Sequence, residues 1–313
     1  MRRLILQRLL LSIPLPFVVS GMTFLLTALT PGDLARSILG GNATQEQVDS
    51  LRHQLGLDEP LAARYWQWLD AALHGNLGVS PTMSEPVTTV LDTRLGVTLS
   101  LVIGSTLVAA AAGLLLGTVA AVRGGVLGRL LDVVSLIGLA LPNFWLALML
   151  ISWFAVDLRL FPVSGYVPPG GGLNNWATSL VLPVVTLAAP GVAVIARQTR
   201  DSMLSTVQRP FMRTLRAAGL SERSLLLRHA LRNAAIPVLT VIGVVFVGAL
   251  SGTVIAEVVF ALPGLGSEAV NATTVHDVPV IQGVALYFTV MVIAVNLVID
   301  IAYGWLDPRV RVS

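Results

Sequence analysis

The chain has 313 residues, 55% of them hydrophobic and 12% charged, against roughly 45–50% and about 25% for an average soluble domain, so its natural solvent is lipid. All 20 basic residues are arginines against 17 acidic ones, and with no lysine the chain has neither the Lys of a phosphate-binding P-loop nor a Schiff-base nucleophile. The absence of cysteine removes disulfides and thiolate metal sites, and His53, His74, His229 and His276 never stand three or four apart, so no catalytic group and no metal site is expected.

Six stretches are apolar enough over about 20 residues to cross a bilayer as helices, at 9–30, 95–122, 133–156, 176–196, 233–256 and 281–299. The start MRRLILQRLLLSIPLPF has the basic head and apolar body of a secretory signal. It lacks an A-x-A-like cleavage site and its apolar run is long enough to span, so residues 1–30 read as an uncleaved first helix. Residues 31–94 form a long loop with helical punctuation. Thr44 and Gln47 have the form of a capping box before Val48, Leu51 and Leu55, and a second amphipathic piece from Pro60 carries Leu61, Tyr65, Trp68 and Leu73. That loop is either a cap over the bundle or a docking surface for an external partner. Residues 95–313 make the remaining membrane core, with a polar loop at 197–232.

With the N-terminus in the cytoplasm, fifteen arginines fall in inside segments and Arg36, Arg52, Arg64, Arg94 and Arg159 outside. The positive-inside rule therefore places both termini in the cytoplasm. Arg213, Arg216, Arg223, Arg228 and Arg232 gather in the loop between spans four and five, with Glu222 as their acidic neighbour. Gly219 interrupts this run, Ser221 has the character of an N-cap, and Leu227 and Leu231 stand one turn apart, which predicts two short helices joined by a glycine turn. Charge alone would suit anionic lipid headgroups. The defined break, cap and leucine stripe suit a groove in another protein.

The stretch RTLRAAGLSERSLLLRHALRNAAIPVL resembles the cytosolic coupling loop of ABC importer permeases of the dipeptide and oligopeptide family. PGDLARSILGGNATQEQVDSLRHQLGL, LPNFWLALML, EVVFALPGLGSEAV, DVPVIQGVALYF and NLVIDIAYGWLDPRVR resemble further segments of that family in the same order, so the likeness covers nearly the whole chain. It implies an all-α membrane protein with the type I importer permease fold, six transmembrane helices and a place in the bacterial cytoplasmic membrane. It also implies a second, similar permease, two cytosolic ATPase subunits carrying ATP and magnesium, and an extracytoplasmic binding protein that delivers peptide. Membrane lipid surrounds such a chain and no nucleic acid is implied. The ATPase-coupling residues would be Arg213, Arg216, Ala217, Gly219, Leu220, Ser221, Glu222, Leu227, Arg228 and Leu231. One departure stands out. Where the broader importer pattern has Glu-Ala-Ala shortly before the glycine, this chain has Arg213, Thr214 and Leu215.

Charge at membrane depth costs about 2.5–3.5 kcal/mol on insertion scales, so each instance needs a reason. Glu257 precedes FALPGLG, whose Pro263, Gly264 and Gly266 predict a bent segment, and it is either a gate residue or half of a structural ion pair. Asn143 and Phe144 follow Pro142 in the third span, which reads either as a packed kink or as part of a pathway lining. Phe260, Pro263 and Gly264 complete the candidate pathway set. An ion-coupled secondary transporter would show inverted repeats and an intramembrane ionisable relay, neither of which is found. Nickel chelates and glutathione remain alternative cargoes within the same importer class.

Overall fold

The computed structural model describes residues 2–29, 34–40 and 42–306, without the side chains of 2–5, 126, 127, 129–132, 136, 139, 305 and 306. Asp33, Arg309 and Arg311 thus lie outside the described residues, as do the side chains of Arg2, Arg3, Arg129 and Asp132. The regular secondary structure of the described residues is helical, apart from one antiparallel bridge between Val79 and Pro86. In chain order the helices are α1 Arg2–Ser12, α2 Pro14–Leu29, α3 Leu34–Leu39, α4 Gln45–Gln54, α5 Leu61–Leu73, α6 Val87–Arg123, α7 Gly125–Ala140, α8 Asn143–Leu150, α9 Leu173–Val207, α10 Pro210–Ala217, α11 Glu222–Ser224, α12 Leu231–Val259, α13 Leu265–Thr274 and α14 Val278–Leu306.

Five continuous helical stretches are long and apolar enough to cross a membrane: Leu6–Leu29, Val87–Arg123, Leu173–Val207, Glu222–Val259 and Val278–Gly304. The third expected span is different. It is divided between α7 and a shorter apolar helix, Asn143–Asp157, whose last turns widen to π geometry over Ile151–Asp157. The cause is Pro142. Its ring forces the preceding residue out of the helical region, and Leu141 accordingly sits at ψ 126°. The expected kink is therefore a full break.

The chain forms two compact units. One comprises residues 1–8, 99–262 and 294–313. Here α9 packs along α12, and α7 and α8 pack against α9. Glycines permit the closest approach: a Cβ at Gly113 of α6 would lie 2.7 Å from the Ile195 side chain, and one at Gly117 would collide with the Ala196 carbonyl. Ala109, Ala188, Ile195 and Val238 form a core at this crossing.

The other unit comprises residues 9–98 and 263–293. The capping box forms as expected, with Thr44 Oγ1 accepting from the Gln47 amide at 3.4 Å and Gln47 Oε1 accepting from the Thr44 amide at 3.0 Å. On α5 the inward face carries Tyr65, Trp68 and Leu69. Leu61 and Leu73, expected on that face, are exposed. Tyr65 Oη donates to the Phe17 carbonyl at 3.2 Å, and its ring lies 5.6 Å from that of Phe24, which ties α5 to α2. The first turns of α14 lie so close to α6 that a Cβ at Gly283 would meet Leu91 and Val87 at 2.7 Å.

Candidate coupling site

Helix α9 does not stop at the expected membrane edge near residue 196 but continues to Val207. After it, Pro210 opens α10, and the chain turns back at Gly219. The turn is a Schellman motif: the Gly219 amide donates to the Arg216 carbonyl at 3.1 Å and the Leu220 amide to the Leu215 carbonyl at 3.3 Å, with Gly219 at φ 85°. Leu215 and Leu220, the hydrophobic pair such a motif brings together, pack onto a core of Met203, Met212, Leu225, Ala230 and Ala234. Ser221 caps the next helix, its Oγ accepting from the Ser224 amide at 3.4 Å. The expected second short helix is not separate. From Glu222 it runs through a π segment at Leu225–Ala230 directly into α12. Its helix-forming residues merge with the apolar run of the fifth span.

The turn therefore presents one exposed surface. Arg213, Arg216, Ala217, Gly219, Ser221, Glu222 and Arg228 are exposed, and among the leucines Leu227 faces outward with 43% of its surface accessible. Leu220 and Leu231 are half-buried and serve the core beneath. Arg216 and Glu222 close the turn with a two-pronged ion pair, Nη2 to Oε2 at 2.9 Å and Nε to Oε1. The hydrogen bonds to Glu222 raise the Arg216 guanidinium pKa further above its usual value.

The pathway candidates have mixed surroundings. Asn143 is half-buried and lines a cavity of about 230 Å³ with Leu187, Pro190, Gly191, Val245 and Gly248. Phe144 beside it is exposed. Glu257 is fully buried in α12, and Phe260 is buried one turn on, its carbonyl accepting from the Gly165 amide at 2.9 Å. Pro263 is exposed, whereas Gly264 is buried and starts α13 through its amide bond to Ser267 Oγ at 3.1 Å.

Residues 1–102 match the family model for the N-terminal part of binding-protein-dependent transport system membrane components, and residues 113–312 match that for the inner membrane component itself. This chain belongs to that family. Its relatives include a putative peptide transport system permease of Brucella abortus strain 2308, 40% identical over 99% of both chains. A probable peptide ABC transporter permease of Sinorhizobium fredii is 40% identical over 98% of both, and a glutathione transport system permease of Escherichia coli K12 is 38% identical over 98% of both. Among solved structures, a chain of the inward-facing methionine ABC transporter MetNI superposes with TM-score 0.56 over 72% of this chain and 99% of that one, at 18% identity. The protein is accordingly an ABC importer permease with the type I importer fold, a multi-pass component of the inner membrane.

Three features of the permease escaped the sequence. Asp277 is a buried hub: its Oδ2 accepts from Ser80 Oγ at 2.5 Å and Thr82 Oγ1 at 2.6 Å, while Oδ1 caps α14 through the Val280 amide at 3.3 Å. Arg94 and Glu268 form an ion pair at 2.9 Å, with the carboxylate buried and its Oε1 lacking a hydrogen bond. Burial raises the Glu268 pKa above the usual carboxylate value despite the opposing attraction of Arg94. Finally, α12 ends in a second Schellman motif whose left-handed residue, at φ 51°, is Ala261 rather than glycine.

Proposed function

We propose that this chain is one of two transmembrane subunits of an ATP-driven importer that takes short peptides from an extracytoplasmic binding protein into the cytoplasm. A second permease, identical or similar, would complete the pathway, and two ATPase subunits with bound ATP and magnesium would grip residues 210–228. Without a lysine the chain has no P-loop of its own, so hydrolysis would fall to those subunits. The observation that carries this reading is the surface at Gly219, where a capped turn is braced from below by Met203, Met212 and Leu225 and offers one exposed leucine framed by arginines. A flexible lipid-binding patch needs no such bracing. A helix end that must transmit force does.

The cargo follows from the relatives. Those named for peptide transport are 40% identical over nearly the full chain, and glutathione, carried by the somewhat less similar Escherichia coli permeases, is itself a peptide-like tripeptide. Leu227→Asp leaves the core residues untouched. In proteoliposomes holding the whole complex it should leave ATP hydrolysis present and abolish peptide uptake, whereas normal uptake by this variant would refute the coupling role.

A further inference from the structure

Residues 197–232 carry eight arginines against two acids, Asp201 and Glu222. Both acids are engaged within the chain: Asp201 stands 3.9 Å from Arg197, and Glu222 holds Arg216 through both of its oxygens. Arg209, Arg213 and Arg223 are exposed and have no ion pair or side-chain hydrogen bond among the described residues. Their positions are locally unfavourable. Arg209 is the N-cap of α10 and makes no side-chain capping bond, and Arg223 lies in the first turn of the long helix that begins at Glu222. A helix start carries the positive end of the dipole, which repels a cation. Arg209 and Arg213 also stand four residues apart, so like charges face each other along one side of α10.

Two kinds of anion could answer this charge, and height above the membrane separates them. The apolar run of the fourth span stops near residue 196 and that of the fifth starts at Asn233, whereas α9 runs on to Val207 and the next long helix begins at Glu222. At about 1.5 Å per residue, each extension carries the turn roughly 15 Å past the apolar runs along its axis. Headgroups fill roughly the first 5–8 Å of that height. The remainder is about one Debye length at physiological salt, so headgroup charge is largely screened at the tip. Arg228 and Arg232, nearer to Asn233, suit headgroups. Arg209, Arg213 and Arg223 stand beyond them.

We propose that the ATPase face receiving this turn is acidic, with carboxylates meeting Arg209, Arg213 and Arg223 around an apolar recess for Leu227. This rests on the coupling role proposed above. A guanidinium carried into a protein interface without a counter-charge keeps its desolvation penalty and gains no attraction, so a neutral or basic face would reject the turn. Charge of one sign at the tip therefore selects which ATPase the permease accepts and steers their encounter.

The test uses the lack of lysine: one Arg→Lys exchange introduces the only side-chain amine in the chain. A water-soluble carbodiimide condenses an amine with a carboxylate in direct contact, and mass spectrometry of the cross-linked peptides locates the bond. In the whole complex, purified in neutral detergent, Arg213→Lys and Arg223→Lys should each become joined at the exchanged position to an Asp or Glu of an ATPase subunit. Links from ATPase lysines to Asp201 or Glu222 are told apart by their position. Arg36→Lys, on the outer side beside Gln45, should give no link to an ATPase. Arg213→Gln and Arg223→Gln should each weaken ATPase binding about tenfold, as loss of one charge-assisted contact implies, and the double exchange should flatten the salt dependence of assembly. Links at these positions confined to the chain's own acids, or undiminished ATPase binding by both Gln variants, overturn the proposal. Weakening seen in phosphatidylglycerol vesicles but not in detergent or phosphatidylcholine overturns it too, naming lipid as the counter-charge. Leu227→Asp keeps the two readings apart: uptake lost in that variant, with no link at 213 or 223, would remove the acidic face and leave the coupling role standing.

Discussion

The strength of the coupling turn can be measured at one residue. Gly219 adopts φ 85°, and a Cβ built there meets nothing within 4 Å, so any cost of substitution is backbone strain rather than collision. An L-residue pays roughly 1–2 kcal/mol in the left-handed region, offset by about 0.4–1 kcal/mol because glycine loses more chain entropy on folding. Gly219→Ala should then weaken the turn by about 1 kcal/mol, Gly219→Asn by less, since its amide tolerates this conformation, and Gly219→Val by more. Hydrogen exchange over residues 210–227 of the reconstituted chain reads these values directly. Opening of the turn should rise about fivefold for Ala and about tenfold or more for Val, because about 1.4 kcal/mol is a factor of ten. Gly219→Asp adds the separate effect of charge: with exchange close to that of Asn, a selective loss of uptake would place the charge against a partner. Equal protection across the series, or Asn as damaging as Val, would refute the reasoning.

Other sites give shorter tests. Asp277→Ala strips acceptors from Ser80 and Thr82 and removes the cap of α14, a loss of about 3–5 kcal/mol from two charge-assisted bonds and one cap. A melting temperature within about a degree of the parent would contradict it. Ala261→Gly should do the reverse of Gly219→Ala and stabilise by about 0.5–1 kcal/mol, read as a rise in the same melting curve, because it relieves a left-handed alanine. The raised pKa of Glu268 means that the folded chain binds this proton more tightly than the unfolded chain. Stability from this group should therefore increase as pH falls through the raised pKa toward the ordinary value of 4.5, and should be lost as pH rises again. Glu268→Gln should flatten that stretch of a melting-temperature profile against pH.

The spanning helices were legible because an apolar run of membrane length has one economical conformation in lipid. Their ends were not. Hydropathy stops at the headgroups, but the backbone ladder of α9 continues through Gln198, Asp201 and Ser202 in water. Gly219, Ser221 and Thr44 could be read because each solves a local problem of chain direction or helix capping in its own stretch of sequence. Pro142 announced a disturbance, yet whether a proline bends or breaks a helix depends on what packs around it. Asp277 gave no signal because its partners Ser80 and Thr82 lie 197 and 195 residues away. Ala261 hides a left-handed turn behind a residue that usually denies one, and on α5 it is Leu69, not Leu73, that is buried.

The unbroken run from Glu222 to Val259 has a mechanical corollary. Leu227 and Glu257 are 30 positions apart on a single rod, a distance of about 45 Å at 1.5 Å per residue. A tilt of about 5° imposed at the cytosolic tip would sweep the far end through about 4 Å, comparable to a side chain, over that same length. Pro237 within the shaft and the π segment at Leu225–Ala230 near its tip are the joints where such motion would be absorbed. Were the turn at Gly219 gripped by an ATPase as proposed, stiffness at these joints would set how much of a push from below reaches Glu257.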